Sequence, residues 1–213
     1  MTLLAGAIGL LPLRWCRFLG RRLGLLAHRV AAGERRRALS NLRLAFPEKT
    51  EAERARIARL CFRGLGENLL ELCAVRRRPR LAAEIVREAP GDLAPLDEAL
   101  GGGKGCLVIS GHIGSWELAA RAVASRGHEV VAVARRFHDP GLGALVEGFR
   151  SSGGVITLAR GAPGTVKTLL RQIRKGGAIF MLVDQDTSVP SLFVPFFGRP
   201  AKTPRGPADL ALR

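Results

Sequence analysis

Four short apolar runs, separated by stretches with a helical rhythm, restrict this chain more than any other feature. They lie at residues 105–110, 129–134, 155–158 and 178–183 of 213. Between them, segments 115–126, 140–151 and 164–175 space their apolar residues three and four apart, the period of a helix with one face against a core. Strands covered on both faces read as continuous apolar runs, and parallel neighbours need crossovers of about a dozen residues, usually helical. The pattern predicts an α/β fold, a central and mostly parallel sheet flanked by helices.

The N-terminal third differs. Residues 1–80 hold 18 basic and 6 acidic side chains, +12 of the chain's formal +16. That field favours an anionic surface, an acidic protein or nucleic acid. Leu3–Leu13 is apolar but too short to span a bilayer core of about 30 Å, and Arg14, Arg17, Arg21 and Arg22 follow it, whereas a signal peptide puts its charges first. Arg14, Arg17 and Arg21 recur at helical spacing, with Trp15, Phe18, Leu19, Leu23 and Leu26 turned elsewhere. A helix lying in a membrane interface fits this pattern. A helix packed on the protein's own core, or a tilted or re-entrant insertion, is the alternative. Residues 1–32 are therefore read as an amphipathic membrane-associating helix and 33–213 as one catalytic domain. Within it, 34–45 reads as a helix ending before Pro47, and the Thr50-x-x-Glu53 capping box starts another. Its apolar positions are Ile57, Leu60, Cys61, Leu65, Leu69 and Leu72, and the basic run Arg76–Arg80 breaks the pattern. Cys16, Cys61, Cys73 and Cys106 form no CxxC pair and read as reduced core residues of a cytosol-facing protein.

In open parallel sheets, ligands gather beyond the carboxyl ends of the strands. The first strand exits to His112, the second to Arg135 and Arg136, the fourth to Asp184-Gln185-Asp186. His112 sits between glycines Gly111 and Gly114, and Glu117 falls in the first turn of the helix beginning near Ser115. An imidazole titrates near working pH and can take a proton from an alcohol. Glu117 is expected to hold its other N–H and stabilise the imidazolium, and the helix start offers N–H groups to an anion. Each residue also has a plainer reading. A lone histidine is often structural, Asp184 can cap a turn, and Arg135, Arg136 and Arg150 can be solvated surface groups rather than grips for phosphate or carboxylate. Two aspartates and a histidine can bind magnesium or zinc, but this spacing matches no metal motif. Nucleophile elbow, P-loop and dinucleotide fingerprints are missing from the sequence. With no Tyr and 5% aromatic residues, recognition of nucleic acid by stacking is poorly served, which leaves a basic nucleic-acid-binding protein a distant alternative.

The succession Arg35-Arg36-Arg37-Ala38-Leu39-Ser40-Asn41-Leu42, Ala45-Phe46-Pro47, His112-x4-Glu117, Asp184-Gln185-Asp186, Val194-Pro195-Phe196-Phe197-Gly198-Arg199-Pro200-Ala201 and Thr203-Pro204-Arg205-Gly206-Pro207-Ala208 resembles the bacterial lipid A biosynthesis (lauroyl/myristoyl) acyltransferases and their lysophospholipid-acyltransferase relatives. The resemblance implies transfer of a fatty acyl chain from a thioester on acyl carrier protein, or on CoA, to a hydroxyl of a membrane glycolipid such as a lipid A precursor, at the cytoplasmic face of the inner membrane. It maps His112 and Glu117 onto the catalytic pair and Arg135, Arg150 and Asp184 onto substrate-binding or activity-requiring positions, with no metal or organic cofactor. Other acceptors, such as a phosphatidylinositol mannoside, a lysophospholipid or an ornithine lipid, stay open. Family members continue well beyond Arg213, so a C-terminally truncated fragment is expected, with an inactive fragment as an alternative.

Overall fold

The computed structural model describes residues 6–86, 94–135, 137–185 and 188–212. Arg136 and Asp186 lie outside the described residues, as does the beginning of the Leu3–Leu13 run. The chain forms two compact units. Among the described residues, one comprises 78–192 and 202–212; the other holds 6–77 and Phe193–Ala201.

The first unit contains the sheet. Strands β1 (Cys106–Ser110), β2 (Val130–Ala134), β3 (Val155–Ala159) and β4 (Ala178–Leu182) pair in the order β1-β4-β2-β3, every pair parallel. Alternation along each strand sends successive side chains to opposite faces. Val130, Ala132, Ala178 and Phe180 join Leu100, Ala120 and Val123 in one core layer. Val131 and Ile179 join Leu169 and Leu210 in the other. Both faces are thus covered, as parallel sheets require. The helices are α4 (Leu81–Ile85), α5 (Ala94–Gly101), α6 (Trp116–Ser125), α7 (Pro140–Ser152), α8 (Thr165–Arg174) and α9 (Gly206–Ala211). At the start of α7, Pro140 sits in the first turn and the Asp139 carboxylate accepts the Leu142 N–H at 2.5 Å, an N-cap that fixes where the helix begins.

The second unit is helical: α1 (Leu13–Val30), α2 (Ala32–Ala45) and α3 (Glu51–Arg77). The capping box forms. Thr50 N–H donates to Glu53 Oε2 at 2.7 Å, and Glu53 N–H donates to Thr50 Oγ1 at 3.2 Å. Helices α1 and α3 meet backbone to backbone. A Cβ on Gly24 would lie 2.1 Å from the Phe62 carbonyl oxygen, and one on Gly66 would lie 2.2 Å from that of Gly20. Only glycine permits this approach. Across the same seam Arg17 pairs with Glu71 at 2.6 Å and Arg21 with Glu67 at 2.6 Å. Arg17 and Arg21 therefore serve the helix pair, whereas the sequence pattern assigned them to lipid headgroups. Trp15, Phe18, Leu19, Leu23 and Leu26 are exposed, as are Leu60, Leu65 and Leu69 on α3. Cys16 and Cys73 are buried, Cys106 is half-buried, and Cys61 is exposed, so the expected core role fails for Cys61 alone.

Strands β5 (Ser191–Phe196) and β6 (Arg199–Pro204) form a hairpin. Its tip, Phe197-Gly198, has two positive φ angles, 49° and 68°, the pattern of a type I′ turn that usually carries Asn or Gly. A phenylalanine there is strained.

Candidate active site

Parallel pairing of β1 with β4 places Ser110 opposite Leu182, and the ladder runs one bond further, from Val183 N–H to the Ser110 carbonyl. Two residues past each paired end stand His112 and Asp184. The carboxylate of Asp184 holds His112 twice: Oδ2 accepts the backbone N–H at 2.7 Å, and Oδ1 lies 2.7 Å from ring Nδ1. An ionised carboxylate only accepts hydrogen bonds, so in the neutral ring Nδ1 carries the proton and Nε2 keeps its lone pair. Gly111 makes room for this grip, since a Cβ there would lie 3.1 Å from Asp184 Oδ2. The ring also packs edge-on against Trp116, with centroids 4.9 Å apart, and its side chain is 32% exposed. Burial pushes the Asp184 carboxyl up, but the ring and backbone hydrogen bonds from His112 outweigh it and hold its pKa below the ordinary aspartate value.

Glu117 does not take the place expected for it beside the imidazole. It lies on the buried face of α6, where its carboxylate receives Arg150 Nε at 2.7 Å and Nη2 at 2.5 Å. Both residues are buried, and each oxygen of the Glu117 carboxylate takes a guanidinium N–H, while the His112 ring is held by Asp184. One turn along α6, Arg121 donates to the Phe149 carbonyl, the Ser152 hydroxyl and the Ser152 carbonyl, and its guanidinium lies over the Phe149 ring. Burial pushes its pKa down from the ordinary arginine value. Glu117 and Arg121 together fix the C-terminal half of α7 against α6. Arg121 escaped the sequence reading, although its i+4 spacing from Glu117 puts both on one helix face.

Arg135 follows the end of β2 and engages His138 Nε2 rather than His112. Of the five residues singled out from the sequence, the fold therefore brings together two pairs, His112 with Asp184 and Glu117 with Arg150, and leaves Arg135 with a partner not foreseen. Ile113, next to the imidazole, is 83% exposed. Among the described residues, no group of three His, Cys, Asp or Glu side chains is arranged to hold a metal ion.

A carboxylate at Nδ1 with Nε2 turned away from it is the geometry in which an imidazole accepts a proton and a carboxylate stabilises the imidazolium. Ser115, the N-cap of α6, makes no side-chain capping bond, so its hydroxyl does not occupy the first-turn N–H groups, whose dipole favours developing negative charge.

The description "bacterial lipid A biosynthesis acyltransferase" belongs to the family model that matches residues 2–213. Two curated relatives, the phosphatidylinositol mannoside acyltransferases of Mycobacterium tuberculosis strains CDC 1551 / Oshkosh and ATCC 25618 / H37Rv, are each 30% identical to this chain over 124 residues. The match covers 57% of this chain and 39% of either relative. With strand ends, histidine box and hairpin all inside the matched span, the chain belongs to the bacterial lipid A biosynthesis acyltransferase family.

Proposed function

We propose that this chain moves a fatty acyl group from a thioester donor, acyl carrier protein or CoA, to a hydroxyl of a membrane glycolipid. The observation that carries the reading is the imidazole of His112, with Nδ1 held by Asp184 and Nε2 left as base. Nε2 takes the acceptor hydroxyl's proton as the oxygen attacks the thioester carbonyl. The tetrahedral oxyanion then collapses, the C–S bond breaks, and the imidazolium returns its proton to the departing thiolate. The general-base contribution is on the order of 10²–10⁴-fold. His112 is the catalytic residue; Asp184 positions it, and Glu117 with Arg150 positions α6 and α7 around it. No step requires a metal or organic cofactor.

A membrane acceptor is supported by the helical unit. Trp15, Phe18, Leu23, Leu26 and Val30 are exposed along α1, and Phe193, Phe196 and Phe197 along the hairpin tip. Phe197 packs edge-on against Phe46 and Phe196, with centroids 5.0 Å and 4.7 Å apart, so the strained turn presents a cluster of aromatic rings. Among the described residues no helix is long and apolar enough to cross a membrane, so the attachment proposed is interfacial, at the cytoplasmic face of the inner membrane. A lipid A precursor is the acceptor suggested by the family. A phosphatidylinositol mannoside is the second reading, favoured by the names of the two relatives.

Transfer of labelled acyl groups from either thioester to vesicles bearing one or the other acceptor tests the proposal. Activity with wild type and its loss in His112→Ala, with vesicle binding unchanged, is the expected result. Transfer that survives His112→Ala removes the imidazole from the mechanism, and no transfer to either acceptor overturns the reading.

A further inference from the structure

The helical unit holds a concave site that the acyl-transfer reading does not use. It has a volume of about 380 Å³ and is lined by Leu25, His28, Arg29, Arg35 and Arg59. That size is within the range of small-molecule sites, about 300–1,000 Å³. We propose that this cavity is an anion site that takes a phosphate group, either the phosphodiester of a lipid headgroup or free phosphate.

Three guanidinium groups meet there without a carboxylate among the lining residues. Elsewhere in the same unit Arg17, Arg21, Arg37, Arg43 and Arg54 each pair with a glutamate. Arg35 is held in place differently. Its Nη1 donates to the carbonyls of His28 at 2.6 Å and Arg29 at 2.8 Å. Those bonds cap the last turn of α1 and keep the guanidinium at the cavity. The His28 ring is fixed edge-on against Phe62, with centroids 5.3 Å apart. Burial, then the charges of Arg35, Arg59 and Arg29, push the His28 pKa down, so the ring senses the concentrated positive field. Guanidinium forks match phosphate oxygens two at a time, and a phosphate would relieve the repulsion among three cations that no carboxylate among the described residues pairs with. Leu25 adds an apolar wall. This site needs nothing from His112, so its fate and that of the acyl-transfer reading are separable.

The test uses the full chain with two double variants of equal charge change. Arg29→Ala with Arg59→Ala removes cavity residues, while Arg36→Ala with Arg56→Ala removes exposed arginines outside it. Inorganic phosphate and pyrophosphate are titrated while the His28 ring resonances are followed. Saturable binding that weakens about tenfold or more in the cavity variant, and hardly at all in the other, is the expected result. Equal weakening in both, or no saturable binding by wild type, overturns the site. Flotation with phosphatidylcholine vesicles, with and without phosphatidylinositol, then separates the two sources. A selective loss of phosphatidylinositol-dependent binding in the cavity variant assigns the site to a headgroup; phosphate binding lost without that selectivity assigns it to free phosphate.

Discussion

Glu117 and Arg150, 33 residues apart in sequence, form a two-point ion pair with side chains only 9% and 10% exposed. Breaking a buried pair leaves one charge without compensation, which costs about 3–5 kcal/mol, whereas replacing both partners with apolar residues is often neutral. Glu117→Ala is expected to lower unfolding stability by that amount, and Glu117→Leu combined with Arg150→Met to recover most of it. Urea unfolding measures both. A neutral Glu117→Ala contradicts a structural role for the pair.

Asp184 gives the pH dependence a defined sign. Its folded pKa lies below the unfolded value because His112 hydrogen-bonds the carboxylate. The stability it contributes is therefore fully present above the unfolded value, near about 3.9, and is lost as pH falls through the lower folded value. Unfolding midpoints of wild type and Asp184→Asn should converge as pH falls below about 4 and the carboxylate protonates. A separation that persists undiminished well below about pH 4 contradicts the assignment.

Two glycines of the helical unit should respond to alanine with opposite signs. At Gly24 a Cβ meets the Phe62 carbonyl oxygen at 2.1 Å, so Gly24→Ala forces α1 from α3 and costs about 1–3 kcal/mol or more. At Gly64, in the interior of α3, a Cβ meets nothing within 4 Å, so Gly64→Ala should stabilise by about 0.5–1 kcal/mol through backbone entropy. Thermal unfolding of the two variants reads both signs; equal effects would contradict the glycine-to-glycine crossing.

Much of the sheet unit was legible in the sequence because its signals are local. Apolar runs at 105–110 and 178–183 became strands Cys106–Ser110 and Ala178–Leu182, and Pro140 marked the start of its helix. The capping box of Thr50 and Glu53 was readable for the same reason. Strand order is not local. Nothing in periodicity says that β4 inserts between β1 and β2, yet that insertion is what sets Asp184 beside His112. The H-x4-E spacing pointed to Glu117 as the ring's partner, but spacing cannot tell which face of α6 is buried. The exposed leucines of α3 were obscured too, because its glycine seam with α1 needs so little apolar area that they remain outside. The β5–β6 hairpin went unread since its turn carries Phe197 where Asn or Gly would announce it.

The ring tautomer of His112 bears most directly on the central arrangement. Nitrogen-15 shifts of the labelled imidazole, recorded where it is neutral, distinguish a proton on Nδ1 from one on Nε2. The Nδ1–H form should dominate in wild type, shift toward Nε2–H in Asp184→Asn, and stay unchanged in Glu117→Gln. An Nε2–H ring in wild type, or a tautomer that follows Glu117 instead of Asp184, would contradict the account.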